Sequence, residues 1–203
     1  MSEPTPRRTQ AERRAATRAR VVEAAFACLL EGGYAATTVG AVQQRAGVAR
    51  GTLLHHFPTR AELLAAVVDE VAARRLQVLA DPAAPEPGQE WDAVVDLVWR
   101  DLQDPAFLAA LELWVAARTD PALRAALAPV QARLFSAVHR AVAGVVGDHP
   151  RGATLAQFTI DLLTGTAMAG LLSEPGSPGD HAEVVRARWK ESLRVLAGVS
   201  AEA

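Results

Sequence analysis

Residues 37–57 are the stretch of this chain that most restricts its fold. Thr37 and Thr38 are typical of the start of a helix, and Gly47 is the residue type that tolerates the positive φ of a sharp reversal. Four apolar residues are spaced to pack two short helices on each other: Val42, Val48, Leu53 and Phe57. The pattern predicts a helix-turn-helix, whose second helix enters the major groove of DNA.

Charge is distributed unevenly along the 203 residues. Residues 1–60 carry nine arginines and four glutamates, a net charge of +5, whereas the remainder carries a net charge of −7. A polyanion is attracted to the first segment and repelled by the second. Because the basic excess coincides with the helix-turn-helix pattern, it favours DNA as the partner over an ordinary solvated charged face.

Helix signals recur along the chain, and strand signals do not. Capping boxes that begin at Thr9 and Thr59 predict helices from residue 9 to about 33 and from 59 to about 80. Proline and glycine breaks separate five further predicted helices: 89–102, 105–118, 121–146, 152–173 and 180–198. We expect an all-α fold of about nine helices. Its expected divisions are an arm and helix-turn-helix domain (1–58), a connecting helix (59–80) and a C-terminal core (81–203).

Several classes of protein lack support in the sequence. No apolar run is long enough for a transmembrane helix, and the arginine-rich N-terminus is not followed by the apolar segment of a signal peptide. Cys28 is the single cysteine and lies in an apolar run, which favours a buried thiol. Metal-ligand spacings, phosphate-binding loops and catalytic triads are not found, and the adjacent His55 and His56 point in different directions on a helix. We expect a cytoplasmic protein that is not an enzyme and has no metal or cofactor.

Short segments within and around the helix-turn-helix occur in a characteristic order and spacing: residues 21–25 (VVEAA), 31–34 (EGGY), 37–38 (TT), 46–48 (AGV), 51–53 (GTL), 56–57 (HF) and 60–64 (RAELL). In these segments the chain resembles the TetR family of bacterial transcriptional regulators. The resemblance covers about residues 18–68, and the later helices match only in number, length and apolar character. It implies a homodimer with two N-terminal DNA-binding domains, and a C-terminal helical core that holds a small ligand and the dimer interface.

Nine residues are candidates for contact with DNA. Arg50 opens the predicted recognition helix, and arginine with guanine is the best-matched base contact. Gly51 permits close approach of the backbone. Five others face the groove or precede the turn: Thr38, Gln43, Gln44, Thr52 and His55. By the resemblance, Leu54 replaces a tyrosine that contacts DNA, and Arg60 corresponds to a lysine that contacts the DNA backbone. Four arginines near the N-terminus either enter the minor groove or stay solvated: Arg7, Arg8, Arg13 and Arg14.

Three positions depart from the family's pattern. Leu54 keeps an apolar contact but lacks the tyrosine hydroxyl, and Gln43 replaces an alanine where two helices approach closely. Ala49 replaces a serine or threonine that would cap the recognition helix, a contribution of about 1 kcal/mol. These departures leave the resemblance intact but make the operator sequence harder to infer.

Most aromatic side chains follow residue 88, where ordinary core packing competes with ligand binding as their explanation. Phe107, Leu111, Trp114 and Arg118 recur at helical spacing, which predicts an arginine in line with an apolar stripe. Polar side chains on apolar faces either pair with each other or face a ligand. The candidate ligand residues are Trp99, Phe107, Leu111, Trp114, Arg118, Phe135, His139, Phe158 and Asp161. They predict a hydrophobic or amphipathic ligand whose charge is open.

The last two predicted helices are candidates for the dimer interface. Gly165 and Ala169 give the first a surface of small residues, and Trp189 and Leu193 line the second. A four-helix bundle across a two-fold axis would bury both surfaces, although burial within one chain explains the same faces. We expect a homodimeric repressor that leaves a palindromic double-stranded DNA operator when a small-molecule effector binds. The alternative is an architectural or constitutive DNA-binding protein without a ligand.

Overall fold

The computed structural model describes residues 9–80, 88–171 and 181–198, and regular structure within these ranges is helical throughout. The helices are α1 (Gln10–Ala36), α2 (Val39–Ala46), α3 (Arg50–His56), α4 (Arg60–Ala80), α5 (Glu90–Gln103), α6 (Pro105–Ala116), α7 (Pro121–Val146), α8 (Gly152–Gly170) and α9 (His181–Leu196). The all-α prediction is confirmed. From residue 89 onward, each predicted helix boundary lies within three residues of the observed one.

Helix starts follow side chains that accept hydrogen bonds from the free N–H groups of a first turn. At α1 the Thr9 hydroxyl accepts from the Glu12 N–H at 3.2 Å, and the Glu12 carboxylate accepts from the Thr9 N–H at 2.7 Å. At α7 the Asp120 carboxylate accepts from the Leu123 N–H at 3.0 Å. Pro121 follows at the first helical position, where no N–H is needed.

Helix α1 is interrupted at Gly33, close to its predicted end. Gly33 has φ 72° and ψ −177°, and the helix resumes as far as Ala36. A Cβ atom at this position would come within 2.8 Å of a carboxylate oxygen of Glu112. The positive φ therefore favours glycine, whereas the end of the flexible Glu112 side chain could move aside for a Cβ atom.

Packing divides the chain into two compact units. Of the described residues, the first unit comprises those up to Ala72 together with Leu108–Val130, and the second comprises those between Ala73 and Phe107 and those from Gln131 onward. Helices α4, α6 and α7 therefore each contribute residues to both units. The sequence predicts a division into continuous segments, 1–58, 59–80 and 81–203, and that division stays a prediction.

Each unit has its own apolar core. Fully buried residues of the first unit include Val21, Leu29, Val42, Leu53 and Leu63. The second core combines residues of α5, α7, α8 and α9, among them Trp91, Val95, Val142, Leu163 and Leu193.

The second unit also buries an ion pair that the sequence did not predict. Arg75 and Asp101 are only 7% and 3% exposed. The guanidinium donates to one Asp101 oxygen at 3.1 Å and to the other through a second, shorter contact. It also lies 5.6 Å from the centre of the Phe107 ring. Burial of these two charges is tolerated because each satisfies the other.

Candidate nucleic-acid interface

The turn between α2 and α3 has the geometry that its glycine predicts. Gly47 is left-handed, with φ 60° and ψ 39°, and its N–H reaches the carbonyl oxygens of Gln43 and Gln44. The Val48 N–H donates to the Gln43 carbonyl at 3.4 Å. These bonds end α2 and allow α3 to begin at Arg50, which completes the predicted helix-turn-helix.

Helix α3 buries one edge and exposes the rest. Leu53 is fully buried, and Phe57, directly after the helix, is 2% exposed. The exposed residues of α3 are Arg50, Gly51, Thr52, Leu54 and His55. Ala49 precedes α3 and forms no side-chain cap, because its methyl group cannot accept a hydrogen bond. Five predicted DNA-contacting residues are thus accessible on one short helix, and their contact with DNA stays a prediction.

The residues predicted to contact DNA from α2 differ in accessibility. The Thr38 hydroxyl accepts from the Ala41 N–H at 3.2 Å, and the Thr38 N–H donates to the Ala36 carbonyl at 2.8 Å. The Thr38 N–H is thus engaged within the protein, and contact of Thr38 with DNA stays a prediction. Gln44 is exposed and Gln43 is half-buried.

Arg60 has an internal position that the sequence did not predict. Its guanidinium donates to the carbonyl oxygens of Tyr34 at 3.0 Å and Thr37 at 3.3 Å, and it lies 4.5 Å from the centre of the Tyr34 ring. The fully buried Thr37 donates its hydroxyl to the Gly33 carbonyl at 2.9 Å. Arg60 therefore holds the junction between α1 and α2, and its expected contact with the DNA backbone stays a prediction.

Tyr34 links the same junction to α6 and α7. Its hydroxyl donates to an Asp120 carboxylate oxygen at 2.7 Å, and its N–H donates to a Glu112 carboxylate oxygen at 3.3 Å. Burial and the bond to Asp120 raise the pKa of Tyr34. The Leu123 N–H and the Tyr34 hydroxyl lower the pKa of Asp120. We call Tyr34, Thr37, Arg60, Glu112 and Asp120 the junction cluster.

The basic residues near the helix-turn-helix have different environments. Arg45 donates to both oxygens of Glu31, at 2.5 and 2.6 Å, and so fastens α2 to α1. The Arg18 guanidinium lies 5.1 Å from the centre of the Phe57 ring. Burial and the charges of His55, Arg14 and Arg18 lower the pKa of His56, which is half-buried.

The N-terminal arginines fall into two groups. Arg13 and Arg14 are exposed on the first turns of α1. Arg7 and Arg8 lie outside the described residues. The contact of this segment with DNA stays a prediction.

The predicted ligand residues are distributed over both compact units. Phe107 is 1% exposed, within the core of the second unit. Leu111 and Trp114 belong to the first unit. Helix α6 ends at Ala116, so Arg118 lies beyond it, exposed, and does not extend the apolar stripe as expected.

Three further candidates lie near the surface of the second unit. Phe135 is 50% exposed, and its ring meets that of His139 edge-on with the ring centres 4.3 Å apart. The His139 Nε2 atom is buried and has no hydrogen-bond partner among the described residues. Trp99 is half-buried beneath the Arg186 guanidinium, 5.2 Å from the ring centre.

One face of α8 is exposed and predominantly apolar. The exposed residues on it recur at helical spacing: Phe158, Asp161, Leu162, Gly165, Met168 and Ala169. Phe158 is 54% exposed, and Asp161 accepts a bond from the Gln157 amide at 2.8 Å. Two predicted ligand residues, Phe158 and Asp161, therefore share a surface with the predicted interface residues Gly165 and Ala169.

Helix α9 directs its predicted interface residues into its own chain. Leu193 is fully buried, and the Trp189 ring N–H donates to the Thr159 hydroxyl at 3.0 Å. Leu193 is therefore buried within its own chain, which is the alternative to a dimer interface that the sequence left open. Three large apolar residues of α9 are instead exposed: Val184 at 46%, Val195 at 74% and Leu196 at 41%.

The second unit contains concave sites that the sequence did not predict. A groove of about 420 Å³ lies between α4 and α7. A smaller site of about 280 Å³ lies where α7 ends and α8 begins, and His139 lines it. The other predicted ligand residues line neither site.

No helix within the described ranges is long and apolar enough to cross a membrane. Those ranges likewise contain no group of three His, Cys, Asp or Glu side chains arranged to hold a metal ion.

Helices α2 and α3, their left-handed turn and the exposed α3 surface define a helix-turn-helix DNA-binding protein. Residues 21–67 match the family described as bacterial regulatory proteins of the tetR family. Residues 85–195 match the tetracyclin repressor-like C-terminal domain.

Individual proteins agree with these matches. An uncharacterised HTH-type transcriptional regulator of Mycobacterium bovis is 34% identical over 142 residues, which cover 69% of this chain and 73% of that protein. The transcriptional repressor AcnR of Corynebacterium glutamicum is 30% identical, over 60% of this chain and 62% of that protein. A crystal structure of the multidrug binding protein EbrR complexed with imidazole has a TM-score of 0.59 and 26% identity, over 91% of this chain and 97% of that one.

The chain therefore belongs to the TetR family and is a helix-turn-helix transcriptional regulator. Regulators of this family bind DNA and act as dimers, and they are not enzymes.

Proposed function

We propose that the protein is a homodimeric repressor that leaves a palindromic operator when a hydrophobic or amphipathic small molecule binds its C-terminal helices. The observation that carries the proposal is the exposed α3 surface, held by a helix-turn-helix whose α1–α2 junction is bonded to α6 and α7 through the junction cluster. As a regulator of transcription it acts where bacterial DNA lies, in the cytoplasm.

The DNA-binding surface in this proposal combines α3 with the end of α2 and Thr38. Arg50 is exposed at the start of α3, where its guanidinium can donate to a guanine edge. The other residues of the surface are Thr38, Gln43, Gln44, Gly51, Thr52, Leu54 and His55. Arg60 supports the surface from beneath, because its guanidinium is bonded to the α1–α2 junction.

The dimer in this proposal forms through the exposed face of α8, with the outward residues of α9 beside it. Phe158, Leu162 and Met168 are large apolar side chains that are 39–54% exposed in one chain. Gly165 and Ala169 permit close approach of a second helix on the same face. A second copy would bury this apolar surface across a two-fold axis, as in a four-helix bundle.

Release of the operator by the effector then follows from thermodynamic linkage between the two binding sites. Two recognition helices bind successive major grooves only when their spacing is about 34–36 Å. A small molecule that binds better to a different arrangement lowers the affinity for DNA, and DNA lowers the affinity for that molecule by the same factor. Similarity to AcnR, a transcriptional repressor, supports repression, and similarity to EbrR, a multidrug binding protein, supports the binding of a small molecule.

The test begins with the transcripts that rise when the gene is deleted, because their promoters supply candidate operators. Compounds that raise the melting temperature of the full chain are then added to its complex with a labelled promoter fragment, and fluorescence anisotropy reports the affinity. Some of these compounds are expected to weaken DNA binding at least tenfold, and Arg50→Ala should lose promoter selectivity without losing the thermal shift. If no bound compound changes the affinity for DNA, the release model is wrong.

A further inference from the structure

The groove between α4 and α7 has an almost uniformly aliphatic lining. Leu76, Leu79 and Ala80 contribute from the C-terminal end of α4. The lining residues of α7 are Ala137, Arg140, Ala141 and Gly144. All seven belong to the second compact unit, and the volume of about 420 Å³ lies within the range of small-molecule sites.

Arg140 is the charged residue of this lining, and its guanidinium is not engaged. It is exposed, and within the described part of the chain its side chain forms no hydrogen bond or ion pair. Other arginines of the same unit are satisfied by the protein. Arg75 pairs with Asp101, Arg194 pairs with Asp92, and Arg151 donates to the Leu196 carbonyl.

We infer that the α4–α7 groove binds a hydrophobic carboxylate, with Arg140 as the anchor of the carboxylate group. The aliphatic side chains supply the contact for the apolar body of such a ligand, and burial of that body drives binding. A guanidinium offers paired N–H donors that match the two oxygens of a carboxylate. A cationic ligand would meet Arg140 as a like charge, and a neutral one would gain only the apolar contact.

The inference rests on the proposed function and gives a chemical class to its effector. Helix α4 supplies three residues of the groove near its C-terminal end, and its first residue, Arg60, holds the α1–α2 junction. A ligand in the groove therefore contacts the same continuous helix that supports the DNA-binding surface. Occupancy of the groove is expected to change the position of α4 and, through Arg60, the affinity for DNA.

Three probes share one naphthalene ring and differ in charge, so that they separate the contribution of ligand charge to binding from that of ligand hydrophobicity: 2-naphthoate, 2-naphthalenemethanol and 2-naphthylmethylammonium. Isothermal titration calorimetry on the full chain is expected to show 2-naphthoate binding about tenfold more tightly than the alcohol, since the ion-paired bonds are charge-assisted. The ammonium compound is expected to bind most weakly. Equal affinities for the three probes, or no binding of 2-naphthoate, would overturn the inference.

Variants locate the site. Arg140→Gln should weaken 2-naphthoate binding about tenfold and leave the alcohol unchanged. Arg20→Gln is the matched control, because Arg20 is also exposed but lies outside the groove, and 2-naphthoate should bind this variant as it binds the wild type. Gly144→Trp places a large side chain in the groove, where an added Cβ has open space, and should weaken all three probes. Loss of binding with Arg20→Gln but not with Arg140→Gln would contradict the assignment.

Anisotropy with the promoter fragment keeps this inference distinct from the proposed function. If 2-naphthoate binds through Arg140 but leaves the DNA affinity unchanged, the groove assignment stands and its effector role is wrong. If other compounds release the DNA while 2-naphthoate does not bind, the groove assignment is wrong and the proposed function stands. Circular dichroism first checks that each variant is folded, so that a change in ligand or DNA binding is not caused by unfolding.

Discussion

Replacement of Tyr34 by phenylalanine removes one hydroxyl from the junction cluster and leaves the ring in place. The lost bond is the 2.7 Å contact with Asp120, together with a weaker 3.4 Å contact from Arg60. Hydrogen bonds to charged groups contribute about 1.5–3 kcal/mol, and the partial exposure of this pair places the loss at about 1–2 kcal/mol. Urea denaturation of Tyr34→Phe and the wild type, at one protein concentration, measures that difference in the free energy of unfolding.

A double-mutant cycle assigns the loss to the bond itself. Asp120→Asn is the appropriate partner variant, because asparagine caps a helix about as well as aspartate and so preserves the start of α7. If the two groups interact as described, the double variant is less destabilised than the sum of the single variants by about 0.5–1.5 kcal/mol. Additive effects would refute the bond between Tyr34 and Asp120.

The same bond can be observed directly, because Tyr34 is the only tyrosine of the chain. Burial and Asp120 raise the pKa of Tyr34 above its ordinary value near 10. A near-ultraviolet absorbance titration should therefore show ionisation at a higher pH than for free tyrosine. Asp120→Asn should move the midpoint back toward the ordinary value. A midpoint at or below that value in the wild type would contradict the environment described for Tyr34.

Three further perturbations test other parts of the structure. Arg50→Ala should cost about 1–3 kcal/mol at one base pair of the operator, and equal weakening on all DNA sequences would make Arg50 a phosphate contact. Asp101→Asn should destabilise the fold by about 3–5 kcal/mol in urea denaturation, because Arg75 stays buried and charged, and Arg75→Met combined with Asp101→Leu should recover most of that loss. Because the pKa of His56 is lowered, the unfolded chain binds a proton more readily, so wild-type stability should fall as the pH drops through about 6.5. His56→Gln should reduce this fall more than His55→Gln, which removes only one of the neighbouring charges that lower the pKa of His56. Equal slopes in the two variants would count against the assignment to His56.

Local signals in the sequence predicted the helices and the turn that carry the DNA-binding surface. Gly47 has the left-handed dihedral angles expected of it, and Asp120 caps α7 as expected of an aspartate before proline. Such features depend on neighbours within about four residues, so a single sequence contains the information they need.

Contacts between distant segments could not be predicted in the same way. Asp120 also accepts a bond from Tyr34, 86 positions earlier, and Arg75 pairs with Asp101 in the core. A charged side chain in a helix looks the same in the sequence whether it faces solvent, DNA or a buried partner. Arg60 was therefore assigned to DNA by the resemblance, although its guanidinium is bonded within the protein.

Helical periodicity likewise identifies an apolar face without identifying what covers it. Phe158 and Leu193 both lie on apolar faces, yet Phe158 is 54% exposed and Leu193 is fully buried in its own chain. The groove beside Arg140 escaped prediction because small aliphatic residues such as Ala137 and Gly144 are common on ordinary helix surfaces. The open space between two helices is a property of their packing, which the spacing of residues in one helix does not report.

Selection of DNA from a random pool by the full chain tests the central claim most directly, namely that two copies present α3 to a palindromic operator. The expected product is an inverted repeat whose half-sites are centred about 34–36 Å apart, one helical turn, or a multiple of that distance. The Arg50→Ala variant should enrich a repeat with a relaxed preference at one position of each half-site. Enrichment of a single asymmetric site, or of no sequence at all, would contradict the claim.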